Sequence, residues 1–212
     1  ELLMLDDELK SVEQNIGLVG LVSFMLVLAI LVVGLRSRHL FVAVTLTLVA
    51  GLILTAWFAA VAIGQLNLSS VTFAVLFIGL SVDFGIHYAL RAQELYESRF
   101  GIGLALREAA ASVGGGVVLS AVVAAVGFLA FLPTAYKGLS ELGVIAAAGM
   151  AIAAFLNLTL LPALIILSPP RPGRRPHQPG RLGQAIDALI ERHPRWLIAG
   201  TMALAIGSLA AV

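Results

Sequence analysis

The chain has 212 residues, of which 60% are hydrophobic and 12% are charged, and its mean hydropathy is +1.03. Soluble domains carry about a quarter charged residues, so this composition excludes an ordinary soluble domain and predicts a membrane protein. The absence of cysteine excludes disulfides, thiolate metal sites and thiol catalysis. The formal net charge of +1 indicates no particular partner.

The first 90 residues alternate polar segments with long apolar runs. The whole chain opens without an initiator methionine or a signal sequence and ends inside an apolar run, so we interpret the chain as an internal piece of a longer protein. Residues 1–13 are polar and acidic and are predicted to end a periplasmic domain. Apolar spans follow at 14–35, 40–63 and 68–90, with a tight turn at 64–67, and each span is long enough to cross a bilayer.

The remainder of the chain continues this pattern. Residues 91–111 mix charged and apolar side chains and predict a connector that lies in the membrane interface. Two more spans are predicted at 112–132 and 139–167. Residues 168–194 begin as a proline-rich basic linker and continue as an amphipathic surface helix, and residues 195–212 start a further span. The predicted fold class is all-α, a polytopic transmembrane helix bundle with five complete helices.

The basic residues indicate how this five-helix bundle, residues 14–167, is oriented. The connections on one side, including 36–39 and 91–111 and the segment from residue 168 to 195, carry eleven Lys and Arg. The other side carries two, Lys10 and Lys137. Because cytoplasmic loops carry the excess of basic residues, the N-terminal segment is predicted to be periplasmic.

Asp83 is a carboxylate inside the third apolar span. It lies roughly 12 Å of helix from Arg91, the next charge, and therefore near the middle of a hydrocarbon core about 30 Å thick. A charge at that depth costs about 2.5 to 3.5 kcal/mol on insertion scales. A partner, a water-filled cavity or a bound proton must offset this cost.

The neighbours of Asp83 at helical spacing suggest a proton relay. Five residues share its stripe by their i, i+3 and i+4 positions: Thr72, Leu76, Gly79, His87 and Leu90. Histidine changes its charge near neutral pH, so His87 could accept a proton from Asp83 or pass one to it. Gly79, Gly85 and Thr72 are predicted to allow close helix packing near the relay. Two alternatives stay open, a hydrogen-bonded structural Asp83 and an interfacial His87.

Other polar and small residues predict packing rather than chemistry. Asn157 in the fifth span is predicted to make an interhelical polar contact, and Gly143, Gly149 and the glycines at 114–116 are predicted to be close-packing or hinge positions. The sequence contains no nucleophile elbow, phosphate-binding loop or zinc-protease motif, and its four histidines are scattered. We therefore predict that it is not an enzyme and binds no cofactor or metal.

The segment GLSVDFGIHY, residues 79–88, resembles the fourth transmembrane helix of the resistance-nodulation-division (RND) superfamily of transporters. In that helix an Asp in a Gly-x-x-x-Asp setting carries the proton-coupling role. Residues 6–17, 131–150 and 158–164 are similar to the MMPL-like branch of the superfamily. Within that branch the likeness points to the hopanoid-biosynthesis-associated transporters, and it covers nearly the whole chain.

This resemblance implies a function for the whole protein, with the present spans as helices two to seven of twelve. It implies multi-pass insertion in the bacterial inner membrane and proton-motive-force-driven export of a hopanoid-like lipid toward the outer membrane. The implied partners are the lipid substrate, protons, the bilayer, the remaining half of the transporter and further copies in a homodimer or homotrimer, with no nucleic acid. Asp83 matches the family's proton-binding Asp. Phe84 departs from relatives that have Tyr or a second Asp there, and His87 is our candidate for part of that role.

The runner-up hypothesis is a sterol-sensing-like module that binds lipid and regulates without pumping, because such domains resemble the same five-helix arrangement. A third hypothesis is a purely structural bundle. A titratable group at mid-membrane favours transport, since a sensor needs no buried carboxylate.

Overall fold

The fold is described from a computed structural model of the chain. The described residues are 18, 20–35, 37–64, 68–97 and 101–170, and for residues 68–76 the backbone alone is described. All of them belong to one compact unit, Glu1–Pro172. The predicted periplasmic segment, nearly all of the basic linker, the amphipathic surface helix and the last apolar span lie outside the described residues.

Five helices make up the described part of the chain. They are α1 (Gly20–Gly34), α2 (Arg38–Ile63), α3 (Leu68–Glu97), α4 (Ile102–Leu129) and α5 (Lys137–Leu167). No strand occurs among the described residues, and the predicted all-α fold class is confirmed. In lipid every backbone N–H and C=O must be paired within the protein, which a helix achieves without any neighbour.

The helices are apolar around most of their circumference. Three of them, α2, α4 and α5, are long and apolar enough to cross a membrane. Large apolar side chains lie on the outside of the bundle, among them Val33, Trp57 and Leu167, all more than half exposed. An exposed apolar surface of this extent is unfavourable in water and suits lipid, so the chain is a multi-pass membrane protein.

Helices α3 and α5 lie at the centre of the bundle, because they pack against each other and each packs against both α2 and α4. Small residues permit these contacts. A side-chain carbon added at Gly143 would lie 2.5 Å from the carbonyl oxygen of Phe128 on α4, so that position requires glycine. The predicted close packing is confirmed there. At Gly115 and Gly116 such an atom would meet nothing within 4 Å, and close packing against the described residues is not observed.

The boundary between α3 and α4 differs from the predicted connector. Helix α3 continues to Glu97 and α4 begins at Ile102, so the described residues of 91–111 are the ends of two long helices. The charged side chains there pair along the helix surface: Arg91 Nη1 lies 2.7 Å from Glu94 Oε2, and Gln93 donates to Glu97 Oε1 at 2.9 Å. Charges end the apolar run without ending the helix, because i, i+3 and i, i+4 pairs are compatible with helical structure.

Contacts at the helix ends show which ends lie together. His39 Nδ1 lies 2.6 Å from Ser168 Oγ, which joins the start of α2 to the end of α5. Arg91 Nε donates to Ser112 Oγ at 3.4 Å, which joins the final turns of α3 to α4. Gly64 ends α2 with a left-handed φ of 82°, a conformation that glycine adopts without strain. Successive helices from α2 to α5 therefore run in alternating directions.

Candidate functional site

The described side chains of α3 form two faces, one buried and one exposed. Its buried face contains Phe77, Ile78, Ser81, Val82, Phe84, Gly85, Tyr88, Ala89 and Ala92. Its exposed face contains Gly79, Asp83, His87, Leu90 and Glu94, which we call the Asp83 stripe. The exposed positions recur every three or four residues and so form one line along the helix.

Asp83 lies in the middle of this stripe and points away from the helices packed against α3. Among the described residues, none forms a hydrogen bond or ion pair with its carboxylate. The other side of α3 packs on α2, α4 and α5, so no described helix covers Asp83. The cost that the sequence predicts for this charge in lipid is therefore not offset within the described part of the bundle.

His87 and Gly79 flank Asp83 along the stripe. His87 follows Asp83 by four residues and is exposed, a spacing that brings the Cβ atoms within about 5 to 6 Å. Gly79 precedes Asp83 by one turn, and a carbon added there would meet nothing within 4 Å. Open surface thus adjoins the carboxylate on the Gly79 side. The side chain of Thr72 lies outside the described residues.

A compact contact of three helices lies directly behind Asp83. Asn157 on α5 is 2% exposed, and its Nδ2 donates to the carbonyl of Ser81 at 3.4 Å and to that of Ala153 at 2.8 Å. A side-chain carbon at Gly85 would lie 2.9 Å from Asn157 Oδ1 and 3.2 Å from Val44 Cγ1 on α2. We call Val44, Ser81, Gly85 and Asn157 the three-helix junction.

The three-helix junction holds in place the turn of α3 that carries Asp83. Ser81 and Gly85 each lie two residues from Asp83, one before it and one after it. Two residues correspond to about 200° around the helix, so both positions face away from the stripe. Gly85 therefore allows α2 and α5 to approach α3, and it does not adjoin the carboxylate itself. Asn157 reaches the backbone of α3 from the opposite side of the helix.

Two further polar contacts of α3 were not anticipated from the sequence. The Tyr88 hydroxyl donates to the carbonyl of Leu106 at 3.0 Å, and the Tyr88 side chain is 1% exposed. Arg91 also reaches α4, through Ser112. The sequence signal for the Tyr88 contact was a tyrosine within an apolar run, because a buried hydroxyl requires a hydrogen-bond partner. These contacts hold α3 against the first half of α4, about one to two turns beyond Asp83.

The arrangement can support proton transfer. A carboxylate and an imidazole one turn apart can each bind and release a proton, and they lie on a helix whose backbone is held from behind. The stripe contains no serine, threonine or cysteine nucleophile among its described members. Its surroundings are apolar helices rather than a cluster of catalytic groups.

Comparisons with known proteins agree with the resemblance carried by residues 79–88. The model of the MMPL family matches residues 3–201. The hopanoid transporter HpnN of Burkholderia multivorans is 41% identical over 205 residues, which is 96% of this chain and 23% of that protein. HpnN of Rhodopseudomonas palustris is 39% identical over 208 residues, with the same two shares. The putative membrane protein MJ1562 of Methanocaldococcus jannaschii is 28% identical over 160 residues, 76% of this chain and 40% of that protein. The chain spans about a quarter of the length of the two HpnN proteins.

Proposed function

The chain belongs to the MMPL family of the RND superfamily, and from this membership we propose that it is part of a proton-driven lipid exporter. The proposed substrate is a hopanoid-like lipid, which moves from the bacterial inner membrane toward the outer membrane. Two relatives named hopanoid transporters support the choice of substrate, since they match nearly the whole chain. The observation that carries the proton coupling is the uncovered Asp83 on a helix otherwise packed by apolar residues.

Asp83 is the proposed proton-binding group. In the membrane its ionised form needs a cation, water or hydrogen-bond donors, while its protonated form tolerates apolar surroundings. Apart from His87 on the same helix, the described helices offer Asp83 no such partner, so the remaining half of the transporter is proposed to cover the Asp83 stripe. Binding and release of a proton then favour two different packings of that half against α3.

His87 is proposed to exchange protons with Asp83 from the cytoplasmic side. It lies one turn closer to Arg91 and to the helix end that the basic residues assign to the cytoplasm. An imidazole at this position can bridge the distance between the carboxylate and water, since the Asp side chain is too short to reach the interface itself.

The magnitudes restrict how protons can drive lipid movement. One proton crossing 100 mV supplies about 2.3 kcal/mol. Exposing a lipid of about thirty carbons to water would cost on the order of 20 kcal/mol at ~0.8 kcal/mol per CH₂. A few protons cannot lift such a lipid into water. The proton is therefore proposed to switch conformations, while the lipid moves through a sheltered apolar path formed elsewhere in the protein.

The test is hopanoid transport by the full-length protein in vesicles with an imposed pH gradient. Transport by the wild type is expected to require the gradient, and Asp83→Asn is expected to abolish it at matched amounts of folded protein. Glu94→Gln is the matched control, because it removes the same charge from the same stripe near the helix end and is expected to retain transport. Gradient-independent transport, or an active Asp83→Asn variant, would contradict the proposal.

A further inference from the structure

A second surface carries an apolar groove that runs along α4 beside α5. The groove has a volume of about 580 Å³. Its lining consists of Ala110, Gly114, Gly115, Val118, Leu119, Val122 and Leu158. On α4 it extends from residue 110 to residue 122, about 18 Å at 1.5 Å per residue. This length is close to half of a hydrocarbon core about 30 Å thick, the depth of one leaflet.

Glycine produces this groove. A carbon added at Gly114 would lie 3.5 Å from Leu158 Cδ2, in ordinary van der Waals contact, and one added at Gly115 would meet nothing within 4 Å. The two helices therefore approach closely at Gly114, and the missing side chain of Gly115 leaves space beside that approach. Val118, Leu119 and Val122 continue the groove as exposed apolar side chains.

The groove lies along α4 between the side that approaches α5 and the side that bonds to α3. A side-chain carbon added at Gly114 would lie 3.5 Å from Leu158, so this edge faces α5. Gly115 and Leu119 follow Ser112 by three and seven residues, so the other edge adjoins the side of α4 that accepts a hydrogen bond from Arg91. Neither Asp83 nor His87 lines the groove.

Two opposite charges lie at one end of the groove. Arg107 precedes Gly114 by seven residues, and Glu108 precedes Gly115 by seven, so each charge lies two turns below one of these glycines on nearly the same line. Both side chains are exposed. Neighbouring residues on a helix do not face each other, so Arg107 and Glu108 extend as separate charges. The charge count assigns this end of α4 to the cytoplasm.

We infer that the α4–α5 groove binds one phosphatidylethanolamine molecule of the cytoplasmic leaflet. One acyl chain lies along the groove, the phosphate contacts Arg107, and the ammonium group contacts Glu108. An arginine binds phosphate oxygens through paired N–H donors, and a carboxylate accepts hydrogen bonds from an ammonium group. A headgroup with both charges matches the pair of residues better than an anionic headgroup, which Glu108 would repel.

The acyl-chain contact is tested by native mass spectrometry of the full-length protein, delipidated and then titrated with dioleoylphosphatidylethanolamine. Gly115→Leu places a side chain in the groove without a backbone clash and is expected to weaken binding of one lipid at least about tenfold. Gly116→Leu is the matched control: it makes the same change at the next residue, also in open space, outside the groove lining. Equal binding by wild type and Gly115→Leu, or equal losses in both variants, would overturn the inference.

The headgroup contact is tested with surface variants that do not alter helix packing. Arg107→Gln and Glu108→Gln are each expected to weaken binding of phosphatidylethanolamine about threefold to tenfold. Dioleoylphosphatidylglycerol, which lacks the ammonium group, is expected to bind the wild type more weakly and to gain affinity in Glu108→Gln. Equal binding of the two lipids by the wild type would exclude the proposed headgroup. Photocrosslinking from position 118 to another segment of the protein, rather than to lipid, would show that protein fills the groove.

Discussion

The two faces of α3 lie on the same turns of the helix but differ in what packs against them. The buried face is completed within the described chain: Asn157 donates to the Ser81 carbonyl, and Val44 and Asn157 pack against Gly85. On the Asp83 stripe, Glu94 pairs with Arg91, but Asp83 has no hydrogen bond or ion pair within the described residues. Helix packing fixes the position of the buried face. The membrane and the rest of the protein determine what surrounds Asp83 on the other face.

We therefore expect the stability of the bundle and the proposed transport to depend on different residues of α3. Substitutions on the buried face are expected to change the stability of the bundle, because they alter contacts that already exist. Substitution of Asp83 is expected to change the proposed transport with little effect on the stability of the described bundle, because its carboxylate makes no hydrogen bond or ion pair there. The following predictions test this separation in order of decreasing effect on stability.

The largest effect is expected for Gly85→Leu. A Cβ at this position already lies 2.9 Å from Asn157 Oδ1, and a larger side chain must separate α3 from both α2 and α5. Overpacking of this kind costs about 1 to 3 kcal/mol or more. Thermal unfolding of the full-length protein in detergent measures it. Gly116→Leu on α4, where an added carbon meets nothing within 4 Å, is the control, and equal destabilisation by both changes would contradict the role of the three-helix junction.

Loss of the junction's hydrogen bond is expected to have a moderate effect. Asn157→Leu removes the Nδ2 donor to Ser81 and changes the contact at Gly85. Interhelical hydrogen bonds in membrane proteins average about 0.6 kcal/mol and reach about 1.7, and a destabilisation in this range is expected in the same unfolding measurement. Thr159→Val serves as the comparison, since the Thr159 hydroxyl bonds to Phe155 of its own helix. A larger loss in Thr159→Val would contradict the role of the junction.

A somewhat smaller effect is expected for Tyr88→Phe, which removes the hydroxyl that bonds to Leu106. A typical hydrogen bond contributes about 0.5 to 1.5 kcal/mol, and the ring would still fill its buried site. Tyr136→Phe makes the same chemical change at a residue that is 71% exposed, and no shift in the unfolding temperature is expected. Identical unfolding of Tyr88→Phe and wild type would show that this bond contributes nothing measurable.

The smallest effect is expected at the start of α5. Lys137 Nζ lies 3.6 Å from Glu141 Oε1, and the lysine is 90% exposed. Glu141 is 20% exposed, but the ammonium group of Lys137 lies in solvent, so a contribution of about 0.3 to 0.5 kcal/mol, weakened by salt, is expected as for exposed i, i+4 pairs. Lys137→Gln is therefore expected to leave the unfolding temperature almost unchanged at high salt, and a large salt-independent loss would contradict this assignment.

Much of the fold and part of the site follow from patterns within the sequence. Apolar run length predicts α2 and α5 closely, because the bilayer sets the length of a spanning helix. Helical spacing alone places Gly79, Asp83 and His87 on one line. The Lys137 and Glu141 pair likewise follows from spacing of four residues.

Features that depend on neighbouring helices could not be predicted in the same way. Gly79 and Gly85 are the same residue type near the same carboxylate, yet one meets open space and the other meets α2 and α5. Similarly, a carbon added at Gly114 would lie 3.5 Å from Leu158, while one added at Gly116 would meet nothing within 4 Å. Local sequence does not encode which helix lies opposite a given position. The continuation of α3 to Glu97 was missed because a charged helix surface resembles a connector in composition.

The most direct test of the central claim is an infrared difference spectrum of the full-length protein in membranes, recorded between neutral and acidic pH. If the Asp83 stripe binds the coupling proton, the wild type will gain a carbonyl band of a protonated carboxylic acid on acidification. Asp83→Asn will lack this band, and Glu94→Gln will retain it. An unchanged band in Asp83→Asn would show that Asp83 does not bind the proton, and the separation of the two faces of α3 into structural and proton-binding roles would then be wrong.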